Sequence, residues 1–246
     1  VFGSVSNYNA NCGLVERVRG INYSNRQYRS LTTNVLPLTY GIQTDFYRGT
    51  NYPEYTSFLV APKGRGSSGT LDYEAATLPT MQVGDTADYT FREPFSDTPV
   101  VLATPNYSTD IYPLLWRVFD VTPQGCRVVL ERQAGFEGVN SPRNPAKIML
   151  LAVEKGKARL DDGTVIIVND SVYTFITGST LSQELIYGDS IDNPRVLVQL
   201  QTRNRPVAGI LRTKTRGPGA MSTTLRLQLD YSDNNNNTLS RNNPAV

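Results

Sequence analysis

The chain contains no histidine, which removes the commonest general base, the usual activator of a nucleophile and the main protein ligand for zinc. Its two cysteines, Cys12 and Cys126, stand too far apart in sequence to form a metal-ligand motif. Glycoside cleavage needs only two carboxylates, and Glu131 with Glu137, or Asp161 with Asp162, are the acidic pairs that come into question. Acidity alone marks them, and solvated surface charge is the simpler account. The run Lys63–Gly69 has glycines but neither the spacing of a phosphate loop nor a following helix. The expectation is a protein that is not an enzyme and holds no cofactor and no metal.

Binding is the better-supplied chemistry. A sugar needs an aromatic face for its C–H surface and a few converging amides, carboxylates or guanidiniums, usually on loops held by a rigid scaffold. Tyr107, Asp110, Tyr112, Arg132, Glu137, Asn140 and Arg143 fall where such loops are expected and are the candidate carbohydrate-binding residues. Each also reads as an ordinary polar loop residue. Trp116, the single tryptophan, lies inside an apolar strand pattern, which favours core packing. Only five of the 24 cationic residues are lysines; the arginine excess suits paired or interface roles. Arg203, Arg205, Arg212, Lys214 and Arg216 form a basic cluster without interleaved aromatics, so ion pairs or a solvated face are expected there rather than nucleic acid.

The elements that must position these residues read as strands. With 39% hydrophobic and 19% charged residues over 246 positions, the polar remainder is rich in Asn, Thr, Ser, Tyr and Gly, which suit strands and turns. Short strands bounded by Gly and Pro are expected at 36–42 and 55–61, and Lys63–Gly69 reads as a flexible turn or linker. From residue 81 the pattern sharpens. Alternating or apolar runs at 86–92, 99–104, 114–121, 126–132 and 148–153 predict strands, with Thr122-Pro123-Gln124-Gly125 as a turn. The charged stretch 154–162 reads as a seam, closing on the turn Asp161-Asp162-Gly163, before strands at 164–168 and 171–176. A faint repeat relates Asp97-Thr98-Pro99-Val100-Val101-Leu102 to Asp192-Asn193-Pro194-Arg195-Val196-Leu197. The fold class expected is all-β: an antiparallel β-sandwich, as two related sandwich domains plus an irregular N-terminal arm. The divisions are an arm over 1–80, a sandwich over 81–155, a second sandwich-like half over 164–232 and a polar tail over 233–246.

The segment from about Tyr89 to Val153 resembles the H-type lectin domain, the six-stranded sandwich of snail agglutinins and discoidin-like proteins. The resemblance is carried by Phe91-Arg92-Glu93-Pro94-Phe95-Ser96-Asp97-Thr98-Pro99-Val100-Val101-Leu102, by Trp116 through Val128, and by Met149-Leu150-Leu151-Ala152-Val153. It covers about a quarter of the chain and rests mostly on core and turn residues. It implies a sandwich that binds a sugar at its strand ends and assembles as an oligomer. At the strand end that would carry the family's sugar site, this chain has Gln133-Ala134-Gly135-Phe136-Glu137-Gly138 and then a long loop.

A first residue of Val rather than Met fits a chain that has lost a signal or propeptide. Cys12 and Cys126 could form one long-range disulfide, as in an oxidising compartment; two free buried thiols fit equally well. Sequons at Asn22, Asn106, Asn169 and Asn236 allow N-glycosylation. A net charge of +2 draws the molecule to neither nucleic acid nor anionic lipid, and no apolar run suffices for membrane insertion. Two readings follow: a secreted, extracellular carbohydrate-binding homo-oligomer whose partners are glycans, or a structural subunit of an extracellular fibre, coat or appendage whose partners are other copies of itself.

Overall fold

A computed structural model of the chain describes residues 2–5, 14–20, 29–35, 38–46, 56–105, 114–132, 146–171, 182–191, 194–204, 210–214 and 220–228. Every regular element among them is a strand and every pairing is antiparallel. In chain order the first strands are β1 (Phe2–Val5), β2 (Leu14–Gly20), β3 (Arg29–Val35), β4 (Leu38–Phe46), β5 (Thr56–Leu59) and β6 (Gly64–Ser68). Next come β7 (Leu71–Met81), β8 (Thr86–Thr90), β9 (Val100–Pro105), β10 (Leu114–Thr122), β11 (Gly125–Arg132) and β12 (Ala146–Val153). The last are β13 (Gly156–Arg159), β14 (Val165–Val168), β15 (Ser182–Ile191), β16 (Ile210–Lys214) and β17 (Ala220–Gln228). Among the described residues no helix is long and apolar enough to cross a membrane.

The best-packed region joins a four-stranded sheet, ordered β6-β7-β12-β9, to a three-stranded sheet, ordered β10-β11-β8. Successive side chains of a strand point to opposite faces, and β12 is apolar on both. Ile148, Leu150 and Ala152 enter one core with Val101 and Ala103 of β9, Leu78 of β7, and Trp116, Val118, Cys126, Val128 and Leu130 of the three-stranded sheet. Met149, Leu151 and Val153 face the other way, against Leu102, Tyr73, Ala61 and Leu197. A strand covered on both faces has to read as a continuous apolar run, as 148–153 does.

A buried carboxylate ties the two sheets at the end where β8 finishes. Glu74 of β7 is fully buried. It accepts the Tyr89 hydroxyl at 2.5 Å and the Arg92 backbone N–H at 3.0 Å. Arg65 of β6 stands 3.9 Å from the same carboxylate and stacks over the Phe95 ring at 3.9 Å. Burial and the bond to Glu74 push the Tyr89 phenol well above its ordinary value. This agrees with the physics, since ionising it would set two negative charges side by side.

Three expectations are corrected. The run Lys63–Gly69 is no linker, because Gly64–Ser68 forms the edge strand β6. One of its two glycines is tightly placed: a Cβ at Gly66 would lie 2.8 Å from the hydroxyl of Tyr73, its cross-strand partner. A boundary after residue 80 would cut β7, which runs through Met81 in the middle of the sheet. The seam at 154–162 contains β13, which pairs with β14 about the expected Asp161–Gly163 turn. The partner of Val100–Leu102 in the faint repeat also differs in structure: β9 is a strand, whereas residues 194–204 make none.

Elsewhere, β1 pairs with β5, β4 lies between β2 and β3, and β17 lies between β15 and β16. The strands expected at 36–42 and 55–61 overlap β4 and β5. Of the strand expected at 171–176, all but Ser171 lies outside the described residues.

Candidate functional site

Register brings the longer connections of the two core sheets to one end. Met81 pairs with Ala146, Pro105 with Ile148, Leu114 with Arg132, and Thr86 with Val129. Gln82–Asp85 bridges the sheets there: Gly84 donates to the Leu130 carbonyl at 2.7 Å, and Leu130 donates to the Asp85 carbonyl at 3.1 Å. The chain therefore leaves Pro105 and returns at Leu114, and leaves Arg132 and returns at Ala146, all at the same end. Those two intervals carry six of the seven candidate residues, and Arg132 terminates β11 between them. Tyr107, Asp110, Tyr112, Glu137, Asn140 and Arg143 themselves lie outside the described residues.

From this end toward the Thr122–Gly125 hairpin, the outward face of the three-stranded sheet carries a charged cluster; its Glu131 and Arg203 were singled out in the sequence, but its members were not brought together there. Arg117 and Phe119 of β10 share that face with Arg127, Val129 and Glu131 of β11, by strand alternation and by the pairs Arg117–Val129 and Phe119–Arg127. Arg117 is 3% exposed and grips Glu131 with two parallel bonds, at 2.6 and 2.7 Å. Such forked pairs fix geometry as well as charge. Arg203 reaches the same carboxylate at 3.1 Å from a distant part of the chain. Arg127 and Arg203 both lie over the Phe119 ring, at 4.9 and 5.4 Å from its centroid.

Arg127 in turn bonds Asp88 at 2.9 Å and Asp120 at 3.3 Å, and these two carboxylates hold its guanidinium charge in place. Asp120 sits at φ 51 where the pairing of β10 with β11 shifts register. That is a left-handed conformation aspartate tolerates better than most residues. The face thus carries guanidiniums and carboxylates paired with one another, with Arg127 and Arg203 lying over the buried Phe119 ring. The only advance signal was the outward phase of positions 117, 119, 127 and 131. Arg203 stood in a basic cluster where ion pairs were one expectation, but nothing local pointed to Glu131, which lies far away in sequence, as its partner.

Residues 194–204 close the open side between β9 and β10. Trp116 donates its indole N–H to Gln199 Oε1 at 3.0 Å, and the Val101 backbone N–H donates to Gln201 Oε1 at 2.5 Å. Trp116 is otherwise a core residue, as its strand position implied.

Of the other predicted positions, Cys126 carries a free thiol buried in the shared core, and burial pushes it up to about 12. Asn169 is exposed at the end of β14, where its side-chain oxygen accepts the Asp170 N–H at 2.9 Å. Cys12, Asn22, Asn106 and Asn236 lie outside the described residues. Glu131, raised as one acid of a hydrolytic pair, has both oxygens engaged by guanidiniums. Asp162 accepts the Thr164 N–H in a turn, which lowers its pKa below the ordinary carboxylate value. Among the described residues no group of three or more metal-ligating side chains comes together.

No protein-family model, curated protein or solved structure matches the chain. Among the described residues the fold is all-strand, built of antiparallel sheets.

Proposed function

We propose that this chain is a secreted, non-enzymatic, lectin-like protein that binds carbohydrate as a homo-oligomer, its two core-sharing sheets acting as a β-sandwich and β15–β17 belonging to a second sandwich-like half. The observation that carries the reading is the common end formed by Pro105, Leu114, Arg132 and Ala146. The two chain intervals that hold Tyr107, Asp110, Tyr112, Glu137, Asn140 and Arg143 leave and return at that end of a packed base. The resemblance of residues 89–153 to H-type lectins supports the same reading. Glycans are the expected partners, with binding through Tyr107, Asp110, Tyr112, Arg132, Glu137, Asn140 and Arg143.

A glycan array on the native protein, with its mass in solution recorded alongside, tests this. Selective binding that is lost in Arg132→Ala or Tyr107→Ala is expected. A second reading, the structural subunit, draws on the edge strands β6 and β8, at which another chain could pair. A blank array with open-ended particles would overturn the lectin reading in its favour.

A further inference from the structure

The segment 194–204 holds itself to the core sheets in an unusual way. It has no strand pairing of its own, yet it runs around the side of both sheets. Leu197 packs against the outer face of the four-stranded sheet with Leu102 and Leu151. Gln199 and Gln201 cap the Trp116 indole and the Val101 N–H at the open side. Arg203 reaches the opposite outer face, at Glu131 and Phe119. These four contacts recur every second residue, the period of an extended chain.

β9 ends the four-stranded sheet and β10 ends the three-stranded one. An uncovered sheet edge presents backbone donors and acceptors to any strand that arrives. Among the described residues the hydrogen bonds that hold this cover come from the Gln199, Gln201 and Arg203 side chains, whereas β12 is laddered on both sides. Segments held by few backbone bonds open at lower free energy than the strands beneath them.

We propose that residues 194–204 are a releasable strap, opening as a unit while the two core sheets stay folded and thereby uncovering Trp116 and the edge of β9. The strap needs no ligand at the loop end to open, so the idea stands apart from carbohydrate binding.

Amide hydrogen exchange on the full chain, read by peptide mass spectrometry, tests it. In the unsubstituted protein, Val101 and residues 195–204 should exchange together and well ahead of residues 148–153. The paired substitution Gln199→Ala with Gln201→Ala removes two of the clips. It should speed exchange at Val101 by roughly tenfold or more, leave 148–153 unchanged, and make the single tryptophan more accessible to acrylamide quenching. Exchange of Val101 and the strap only together with 148–153 in the unsubstituted protein would overturn the proposal. So would equal acceleration of all these segments in the variant.

Discussion

Tyr89→Phe isolates one atom whose worth can be reasoned from its surroundings. The ring is kept, so its edge-on contact with Phe91, at 5.8 Å between centroids, should survive. What is lost is the hydroxyl that donates to Glu74 at 2.5 Å. Glu74 is fully buried and keeps the Arg92 N–H at 3.0 Å, with the Arg65 guanidinium only at 3.9 Å. A hydrogen bond to a buried charged group is worth about 1.5–3 kcal/mol, more than a neutral bond because water no longer solvates the ion. For a protein of this size that corresponds to a fall in Tm of about 3–12 °C.

The same contact sets an alkaline limit. The folded phenol lies above its ordinary value, so its contribution is complete below about pH 10 and is lost as pH rises beyond that. Thermal unfolding of the parent, Tyr89→Phe, Glu74→Gln and the double variant should be followed from pH 7 to 11. We expect a coupling of about 1.5–3 kcal/mol in the double-mutant cycle at pH 7, with a smaller alkaline loss in Tyr89→Phe. A Tyr89→Phe cost below about 0.5 kcal/mol, or no coupling to Glu74, would refute the account.

Three further outcomes follow from single positions. Gly125→Ala would put a methyl 2.2 Å from the Tyr89 carbonyl oxygen, so β8 must move away; a loss of about 1–3 kcal/mol is expected in urea unfolding. The Cys126 thiol, pushed up to about 12 by burial, should resist a thiol reagent at pH 8 in the folded protein and react once it is unfolded, as peptide mapping of the label would report. Asp97 is held below the ordinary carboxylate value first by its bond to Lys155, at 2.9 Å, and then by the Thr98 N–H. Its contribution is therefore complete above about pH 4 and lost as pH falls further. Asp97→Asn should lower stability slightly at pH 7, where that contribution is removed, and flatten the profile below pH 4, where variant and parent converge.

Much of the core was readable from local pattern. Strands β8 to β12 were visible because alternation and apolar runs are properties of neighbouring residues; that the run at 148–153 is covered on both faces came from the structure. Lys63–Gly69 misled for an equally physical reason. Glycine and serine score as linker when read alone, and only the Tyr73 ring lying across Gly66 shows why a side chain is excluded there. The candidate loop residues were chosen by type, whereas which strand ends flank their intervals depends on register, which no residue type announces.

By itself, the sequence pointed to an all-β fold without histidine, with its clearest strand patterns between residues 86 and 153 and Trp116 placed in a core. Tertiary structure alone decided which long-range partners meet: Glu74 with Tyr89, Arg203 with Glu131 and Phe119, and Gln199 with Trp116. Local propensity acts between neighbours in the chain, and nothing local to Arg203 or Gln199 records the buried group each must satisfy. Those pairings exist because folding puts polar atoms beside apolar cores and sheet edges, where leaving them unpaired is costly.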